Sequence, residues 1–458
     1  MKNGGFLSNL LFLVILAIFS LFATANTSSA IDSMDWDLVN DRVSADLSNT
    51  SMERVLEMIA TRTGWAVFRE PGQSSVVSVK FKNLPRQKAL KRVLGSLNFA
   101  LISNKAQLGK KLVVFYSSAG NATEEITPRP RPIEDELLVT LNPDSKMSIE
   151  ELARKYGAKI IGEIKDLNSY RLSFEDADAA KKAKETLESD PNVADLDQNY
   201  LIDQPVPSDL LGLGAAPPLN LKASVGDSGG HTIVGLIDTA VQIEGSRYKE
   251  FYLDPISLAG EALIDPEFPS HGTSMAETVL KGVTMATQEE SGSSVRILPV
   301  DVYGPNEETN TFDIARGIYS AMEQGATVIN MSLGGAGSSP MVENLIRQGS
   351  ELGVIFIGAA GNEPTQLPNY PAAQPEVLAV TAGDRNGNLA AYANRGEFVD
   401  IVAPGTSLIY FGNRSWIVSG TSPATALVSG MAAGIAASSG KTVKQVETEL
   451  RSSFPVAP

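Results

Sequence analysis

Six apolar runs in the C-terminal half of the chain limit its fold more than any other feature. Segments with helical spacing separate them, and most of the runs end in Asp, Gly or Asn. The runs are TIVGLID, SVRILPVD, ATVINMSLGG, GVIFIGAAGN, VLAVTAGD and VDIVAPG. Continuous apolar strands that alternate with helices are typical of a parallel sheet buried on both faces. We therefore predict an α/β fold with functional groups beyond the carboxyl ends of its strands.

Three polar side chains lie at the ends of these elements. Asp238 ends the run TIVGLID, Asn362 follows GVIFI in the turn GAAGN, and His271 opens the helical segment HGTSMAETVL. Each has an ordinary structural explanation when taken alone. An Asp can cap its own turn, an Asn tolerates left-handed backbone, and a lone His is more often structural than catalytic. We assign the chain's other histidine, His231 in a polar GGH turn, to that structural class.

Ser422 lies among small residues in VSGTSPATALVSG, directly before Pro423. The small residues allow neighbouring chain to approach, and a proline suits the first turn of a helix. Ser422 is therefore predicted at the amino end of a buried helix, where free N–H groups favour negative charge. A helix-capping serine would explain GTS alone. The three polar residues above change that interpretation, because acyl transfer by a serine needs a base, an orienting carboxylate and oxyanion donors.

The motifs LIDTA, HGTSMA, AAGN and GTSPA, in this order, are similar to those of the subtilisin-like serine proteases, the subtilase family. VINMSLGG and DIVAPG add to the resemblance, which extends from about Leu221 to Ser438. It implies a three-layer catalytic domain built on a parallel sheet. The expected substrates are proteins or peptides, and no cofactor is expected for catalysis.

The resemblance also implies a role for each motif residue. Ser422 is the expected nucleophile, His271 the general base and acid, Asp238 the partner that orients it, and Asn362 the oxyanion donor beside the Ser422 backbone N–H. A further set forms the edge that pairs with an extended substrate: Ser332, Leu333 and Gly334. Gly334 and Gly335 predict an unobstructed pocket that accepts apolar side chains.

Several positions depart from the usual family residues without removing a catalytic group: Ala240, Ser274, Glu277, Pro423, Ala426 and Leu427. Glu277 matters most, since its helix is expected to pack closely there and a carboxylate must reach solvent or find a partner. These departures motivate an alternative, a weak or inactive subtilase-fold protein that acts as an envelope interaction module. No acidic loop lies between the Asp and His motifs, so structural calcium is not supported.

Residues 133–203 are predicted to form a small α+β domain. ELLVTL, AKIIGEI, SYRLSF and NVADLDQNYLI are interpreted as strands, and SIEELARKYG and DADAAKKAKETLES as helices. The expected result is a four-stranded sheet with both helices on one face. ELLVTL and NVADLDQNY are similar to subtilase propeptides, which implies a zymogen that its own propeptide inhibits. A free-standing regulatory domain is the alternative.

An internal repeat with an offset of 34 residues covers Val43–Phe68 and Val77–Ile102. Each unit is predicted as a strand, a turn at Asn49 or Asn83, a helix and a second strand. Two such units make a small α+β domain at residues 40–118. It resembles the short N-terminal domain of secretins and TonB-dependent receptors, an envelope module. A third hypothesis makes this domain the main functional part, with the protease only maturing it.

The N-terminal residues 1–25 have the pattern of a secretory signal. A lysine precedes an apolar core from about Leu10 to Phe22, and Ala23-Thr24-Ala25 offers small residues at the cleavage positions. An uncleaved membrane anchor is the alternative. The expected location is therefore secreted, periplasmic or attached to the cell envelope. The chain has no cysteine, which excludes disulfides and a lipidated-cysteine anchor.

Charge is distributed unevenly along the chain. With 38 basic and 53 acidic residues the net charge is −15, which argues against a nucleic-acid binder. From Pro71 to Thr123, however, there are nine basic residues and no acidic one, which leaves the rest of the chain at −24. This basic block is predicted to meet an anionic envelope component or protein, or the acidic remainder of the same chain.

These observations predict an exported serine endopeptidase made as a zymogen. Residues 119–132 are predicted as an extended proline-rich linker. Residues 204–220 are predicted as a linker and maturation region, and residues 221–458 as the peptidase domain. The cut is expected somewhere between Tyr200 and Pro218.

Overall fold

The computed structural model describes residues 33–37, 41–63, 65–72, 75–103, 110–126, 130–205, 209–213, 219–224, 232–287, 292–384 and 386–454. The chain divides into two compact units, the first of which ends at Ile126. The predicted signal sequence and His231 lie outside the described residues. Within the described ranges, no helix combines the length and apolar character needed to cross a membrane.

The first unit contains the predicted repeat. Its elements are β1 (Ser33–Asp37), β2 (Arg42–Ser51), α1 (Met52–Thr63), β3 (Ala66–Arg69), β4 (Val76–Pro85), α2 (Arg86–Leu94), β5 (Asn98–Ser103), β6 (Lys110–Phe115) and β7 (Glu124–Ile126). They form two sheets, with strand orders β1-β2-β4 and β5-β6-β3-β7. The strand, helix, strand order predicted for each repeat unit is confirmed.

Both predicted turns of the repeat adopt left-handed backbone, with φ of 58° at Asn49 and 54° at Asn83. Asparagine tolerates this conformation better than most residues, which explains its place in each unit. The predicted linker at residues 119–132 is wrong in part. Glu124–Ile126 pairs with β3, because its backbone completes an open edge of that sheet.

The second unit begins with the predicted four-stranded domain. Its elements are β8 (Pro132–Leu141), α3 (Ile149–Tyr156), β9 (Lys159–Ile164), β10 (Ser169–Ser173), α4 (Ala177–Leu187) and β11 (Val193–Asp203). These four strands have the order β11-β8-β10-β9, and both helices pack on one face of the sheet. A strand of the domain that follows pairs with β11 and makes the sheet five-stranded. A capping box between Ser148 and Glu151 starts α3, and left-handed Gly157 ends it.

The catalytic-type domain follows in the same unit. Its elements are β12 (Asp209–Leu213), β13 (Thr232–Asp238), β14 (Ile256–Ser257), α5 (His271–Thr287), β15 (Val295–Asp301), β16 (Glu308–Asn310), α6 (Thr311–Glu323), β17 (Ala326–Met331), α7 (Pro340–Glu351), β18 (Ile355–Ala359), β19 (Val377–Gly383), β20 (Ile401–Pro404), β21 (Thr406–Phe411), β22 (Arg414–Ser419), α8 (Thr421–Ser439) and α9 (Val443–Ser453).

All six apolar runs are strands of one parallel sheet with the order β14-β15-β13-β17-β18-β19-β20. Successive side chains face opposite sides. Val234 and Leu236 pack under α5, α8 and α9, whereas Ile237 packs under α6 and α7. The predicted three-layer α/β architecture is therefore confirmed.

The maturation region is more ordered than a linker. Its residues Asp209–Leu213 form β12, which pairs antiparallel with β22 in the sheet β12-β22-β21. DLLGL has no alternating pattern, so the strand depends on the partner it finds in the folded protein.

Candidate active site

Asp238 and His271 are in direct contact at one end of the parallel sheet. His271 Nδ1–H donates to Asp238 Oδ1 over 2.7 Å, and Asp238 Oδ1 also accepts from the Thr239 backbone N–H at 2.7 Å. Both residues are buried. His271 Nε2 has no hydrogen-bond partner among the described residues. The carboxylate therefore orients the ring and leaves its second nitrogen free to accept a proton.

The start of α5 lies unusually close to the end of β13. Gly272 makes this possible, because a Cβ at that position would overlap the backbone oxygen of Thr239. The Gly272 backbone N–H donates to Thr239 Oγ1 over 2.8 Å. Ser270 Oγ adds a hydrogen bond of 2.6 Å to Ala240 O. These contacts hold the first residue of the helix against the carboxylate at the strand end.

Ser422 is the second residue of α8, as predicted from Pro423. Its hydroxyl donates to the Ser332 backbone oxygen over 3.2 Å, and Ser332 Oγ donates back to the Ser422 carbonyl over 3.1 Å. The nucleophile candidate is thus held against the residue that follows β17. Its hydroxyl does not bond to His271 in this structure.

Asn362 is fixed to the same helix start. Its Oδ1 accepts from the Thr421 backbone N–H over 2.8 Å and from Thr421 Oγ1 over 3.0 Å. With Oδ1 engaged, Nδ2 is the end of the amide that faces Gly420, where an added Cβ would lie 3.2 Å from it. Asn362 therefore presents a donor next to the turn that leads into Ser422.

The helices that carry His271 and Ser422 pack at very short range. A Cβ on Gly282 of α5 would overlap the backbone oxygen of Leu427, and one on Gly430 of α8 would overlap that of Val279. Close backbone contact of this kind leaves little freedom for the two helices to slide. It fixes their amino ends, and the two candidate residues, relative to each other.

The Subtilase family model matches residues 229–452, and the model of the fervidolysin N-terminal prodomain matches residues 118–195. The thermostable alkaline protease of Halalkalibacterium halodurans is 28% identical over 331 residues, which are 70% of this chain and 84% of that protein. Subtilisin Savinase of Lederbergia lenta is 32% identical over 186 residues, which are 39% of this chain and 69% of that protein. The chain belongs to the subtilase family.

This subtilase is a serine endopeptidase made as a zymogen, with a prodomain ahead of its catalytic domain. Its relatives are proteases, which favours hydrolysis over the inactive alternative. The crystal structure of fervidolysin from Fervidobacterium pennivorans, described as a keratinolytic enzyme related to subtilisin, shares the fold. It superposes with a TM-score of 0.50 at 20% identity and covers 66% of this chain and 54% of that one. The two family models match no residue before 118. The resemblance of the repeat domain to the short N-terminal domain of secretins and TonB-dependent receptors therefore stays a prediction.

The predicted substrate edge of this subtilase follows β17. Ser332 and Leu333 are buried, and Gly334 is covered by Asn369, whose Nδ2 donates to Ala359 O over 2.9 Å. A Cβ on Gly334 would overlap that amide. The prediction of an unobstructed pocket at Gly334 is therefore wrong, because a loop residue distant in sequence folds back over the glycine.

The prodomain enters the groove beside this edge. The end of β11 pairs antiparallel with β16, with Leu201 opposite Asn310 and Asp203 opposite Glu308. Between them Ile202 is only 2% exposed, and a Cβ on Gly335 would lie 2.8 Å from its Cδ1. The subtilase therefore holds its own chain as an extended strand.

Two prodomain side chains bind the starts of catalytic-domain helices. Asp197 Oδ2 accepts from Ser339 Oγ and, over 3.4 Å, from the Met341 N–H at the start of α7. Asn199 Oδ1 accepts from the Phe312 N–H over 3.2 Å at the start of α6. Helix starts favour such acceptors because their first N–H groups lack partners within the helix. Burial raises the pKa of Asp197.

The side chain of Glu277 has a hydrogen-bond donor inside the protein. It is 5% exposed, and its Oε2 accepts from the Tyr410 backbone N–H over 2.6 Å. Burial raises the pKa of this carboxyl to about 7, and the hydrogen bond from Tyr410 opposes part of that rise. Glu277 therefore links α5, the helix that begins with His271, to β21.

Two residues that position the site escaped the sequence interpretation. Thr421 orients Asn362, and Asn369 covers Gly334. Only Thr421 lies within a recognised motif, so only Thr421 carried a local signal. Among the described residues, no group of three or more His, Cys, Asp or Glu side chains could hold a metal ion.

Proposed function

We propose that Ser422, His271 and Asp238 hydrolyse peptide bonds through an acyl-enzyme. The observation that carries this proposal is the buried 2.7 Å contact between His271 Nδ1 and Asp238 Oδ1, which leaves Nε2 without a partner among the described residues. A histidine oriented in this way can take the proton of a serine hydroxyl.

The first step requires the Ser422 hydroxyl to exchange its hydrogen bond with Ser332 O for one with His271 Nε2. We propose that the Ser422 side chain rotates to make this exchange when substrate binds, since catalytic hydrogen bonds are often unformed without substrate. As Oγ bonds to the substrate carbonyl carbon, His271 takes its proton. The same nitrogen then gives the proton to the leaving amine as the C–N bond breaks. Water then bonds to the acyl carbon while His271 takes its proton, and His271 gives that proton to Ser422 Oγ as the bond between Oγ and the acyl carbon breaks.

Negative charge on the substrate oxygen needs donors that are already in position. We propose Asn362 Nδ2 and the Ser422 backbone N–H, because Thr421 holds the other end of the amide and Ser422 lies at the start of α8. The helix dipole favours the same charge. Protein groups handle every proton and charge in this mechanism, so it requires no cofactor.

The acyl side of a substrate is proposed to follow the path of β11. Its contacts with β16 and Gly335 support this, as does the position of Ser332, Leu333 and Gly334 after β17. Backbone pairing would supply affinity, and the space beside Gly335 would prefer an apolar side chain such as Ile202.

We propose that the chain cuts itself between Gln204 and Asp209. The Gln204 backbone N–H donates to Glu307 O over 2.7 Å, which continues the pairing of β11. Asp209 begins the pairing with β22, which ends three residues before Ser422. The interval between these two paired segments is shorter than the predicted maturation region.

Labelling with a fluorophosphonate tests the reaction, since only an activated serine reacts. We expect the wild-type chain to be labelled and to mature, and Ser422→Ala to stay unlabelled and full length. Ser429→Ala is the matched control on the same buried helix, where Ser429 only bonds to Asn330 Oδ1 over 3.0 Å. Normal maturation of purified Ser422→Ala would contradict self-cleavage, and a wild-type chain without label would favour the inactive interpretation.

Membership of the subtilase family supports export. We propose a location in or near the cell envelope, where the repeat domain binds an anionic component. Five basic side chains of β4 and α2 are exposed: Lys80, Lys82, Lys88, Lys91 and Arg92. Replacing Lys88, Lys91 and Arg92 by Gln should release the protein from envelope fractions at low salt and spare its peptidase activity. Unchanged fractionation would contradict this docking.

A further inference from the structure

One residue pair in the groove places two carboxylates opposite each other. Asp203, the last residue of the prodomain strand β11, lies directly across from Glu308 of β16 in their antiparallel pairing. Directly opposite residues point to the same face of a sheet, with Cβ atoms about 5 Å apart, and like charges at such a pair are destabilising. By its charge alone, Asp203 is therefore an unfavourable neighbour for Glu308.

Arg131 of the prodomain compensates for this pair. Its Nη1 donates to Asp203 Oδ1 over 2.8 Å, and its Nη2 donates to Glu308 Oε1. The backbone of Arg131 is fixed as well, because its carbonyl accepts from the Leu201 N–H over 2.8 Å. The side chains of Arg131 and Glu308 are only 24% and 22% exposed. The guanidinium thus bridges the two carboxylates at a place where water screens their charges only in part.

The compensating charge does not belong to the catalytic domain. Arg131 lies within the range matched by the prodomain model, ahead of the proposed cut, whereas Glu308 belongs to the strand proposed to pair with substrate. Among the described residues, Arg131 is the only basic side chain paired with Glu308. The neighbouring Glu307 is exposed and adds negative charge. When the prodomain dissociates, the part of the catalytic domain that the structure describes therefore offers Glu308 no cation in its place.

The backbone on both sides of this position is held in register. The Gln204 N–H donates to Glu307 O over 2.7 Å, and the Asp203 carbonyl accepts from Tyr303 Oη over 3.2 Å. Tyr303 is completely buried, and burial raises the pKa of its hydroxyl well above the usual value of 10, so the hydroxyl stays a neutral donor. A substrate that follows the path of β11 would make the same main-chain bonds. Its side chain at the position of Asp203 would then face Glu308.

We propose that Glu308 is a specificity-determining residue, which selects Lys or Arg at the substrate position that Asp203 takes in the zymogen. The inference rests on the proposed hydrolysis and on the proposed path of the acyl side along β11. A basic side chain at this position brings with the substrate the cation that Arg131 supplies in the zymogen. The Asp203 side chain is 44% exposed, so a longer side chain can extend toward solvent there. The substrate class is therefore an extended polypeptide with a basic residue two or more positions before the cut.

Hydrolysis of matched peptides tests this selection. Three peptides copy residues 198–213 and carry Asp, Gln or Lys at the position of Asp203. For the mature wild-type enzyme, we expect kcat/KM for the Lys peptide to exceed that for the Asp peptide roughly tenfold at low salt, with the Gln peptide between them. Glu308→Gln should reduce this ratio below about twofold, and Glu308→Lys should reverse it.

The neighbouring Glu307 offers a matched control. Its backbone oxygen contacts the strand in the groove, and its side chain is exposed, so Glu307→Gln should keep most of the preference for the Lys peptide. A wild-type enzyme that cleaves the three peptides equally well would overturn the proposal. So would a ratio that Glu308→Gln and Glu307→Gln change to the same extent.

Hydrogen exchange tests the charge pairing without any need for peptidase activity. In the full-length Ser422→Ala protein, Arg131→Gln leaves Asp203 and Glu308 in repulsion and should speed exchange of the amides between β11 and β16 at least threefold. Adding Asp203→Lys should restore slow exchange, because the strand then carries its own cation, and Asp203→Gln should restore it only in part. Failure of the Lys variant to restore protection would overturn the proposal. Restored protection, together with a wild-type enzyme that cleaves no peptide, would instead contradict the proposed hydrolysis and the substrate selection with it.

Discussion

Glu277→Gln should remove a pH dependence from the stability of the catalytic domain. The Glu277 carboxyl is buried, and burial raises its pKa from an ordinary value of 4.5 to about 7 in the folded protein. A raised pKa means that the folded state keeps a proton which the unfolded state has already released. Stability therefore falls as pH rises from 4.5 to about 7, and stays at the lower level above that.

The size of the effect follows from the size of the shift. Each pKa unit corresponds to about 1.4 kcal/mol, so the ionised Glu277 should cost about 3 kcal/mol above pH 7. Gln keeps an oxygen to accept from the Tyr410 N–H and cannot ionise. The other groups near Glu277 are Tyr248, Tyr252 and, stacked on Tyr410, Arg247. Burial raises the pKa of both tyrosines above its usual value of 10, so they stay neutral in this range.

Urea unfolding in a Ser422→Ala background measures the effect without self-digestion. Between pH 5 and pH 9, the free energy of unfolding of the Glu277 protein should fall by about 3 kcal/mol relative to Glu277→Gln. The exposed Glu267 offers a matched control, because Glu267→Gln should preserve the pH profile of the parent. If Glu277→Gln and its parent lose stability in parallel as pH rises, the buried carboxyl is not the cause.

Three other substitutions test the site and its inhibition. Asn362→Asp keeps the acceptor for Thr421 but loses the Nδ2–H donor. We expect kcat to fall roughly 100-fold to 1000-fold with little change in KM, which is the loss typical of a subtilisin-type oxyanion donor. A change in KM alone would contradict that role. Asp197→Ala leaves the start of α7 uncapped. The cleaved prodomain should therefore inhibit the mature enzyme roughly tenfold more weakly, as measured by competition with a peptide substrate. Unchanged inhibition would show that the Asp197 contact does not contribute to prodomain binding. Asn369→Gly should raise kcat/KM roughly tenfold for peptides with a large aromatic residue before the cut, and an unchanged preference would show that Gly334 does not line the pocket.

The catalytic half could be predicted in detail because its strands are apolar without interruption. Only a sheet covered on both faces buries such segments, and the residue that ends each strand must then lie at the sheet's rim. Asp238 and Asn362 follow from this rule, and the position of Ser422 follows from the proline in the first turn of its helix. The contact between Asp238 and His271 does not, because it depends on how far Gly272 lets α5 approach β13.

What could not be predicted depends on partners distant in sequence. DLLGL becomes a strand because β22 offers an open edge, and nothing within those five residues requires it. Asn369 blocks Gly334 through a loop that returns 35 positions later. Glu277 is tolerated in a close-packed helix because the Tyr410 N–H needs an acceptor at that point. In each case the local sequence is compatible with several environments, and tertiary packing selects one.

Cleavage and activation are separate events in this architecture. A cut between Gln204 and Asp209 breaks one covalent bond, yet it leaves the pairing of β11 with β16 and the contacts of Asp197 and Asn199 with two helix starts. Without these contacts, the buried polar groups of the mature domain would need water as their hydrogen-bond partner. The cut alone should therefore not release the prodomain. Activity should therefore appear only when the prodomain dissociates from the catalytic domain.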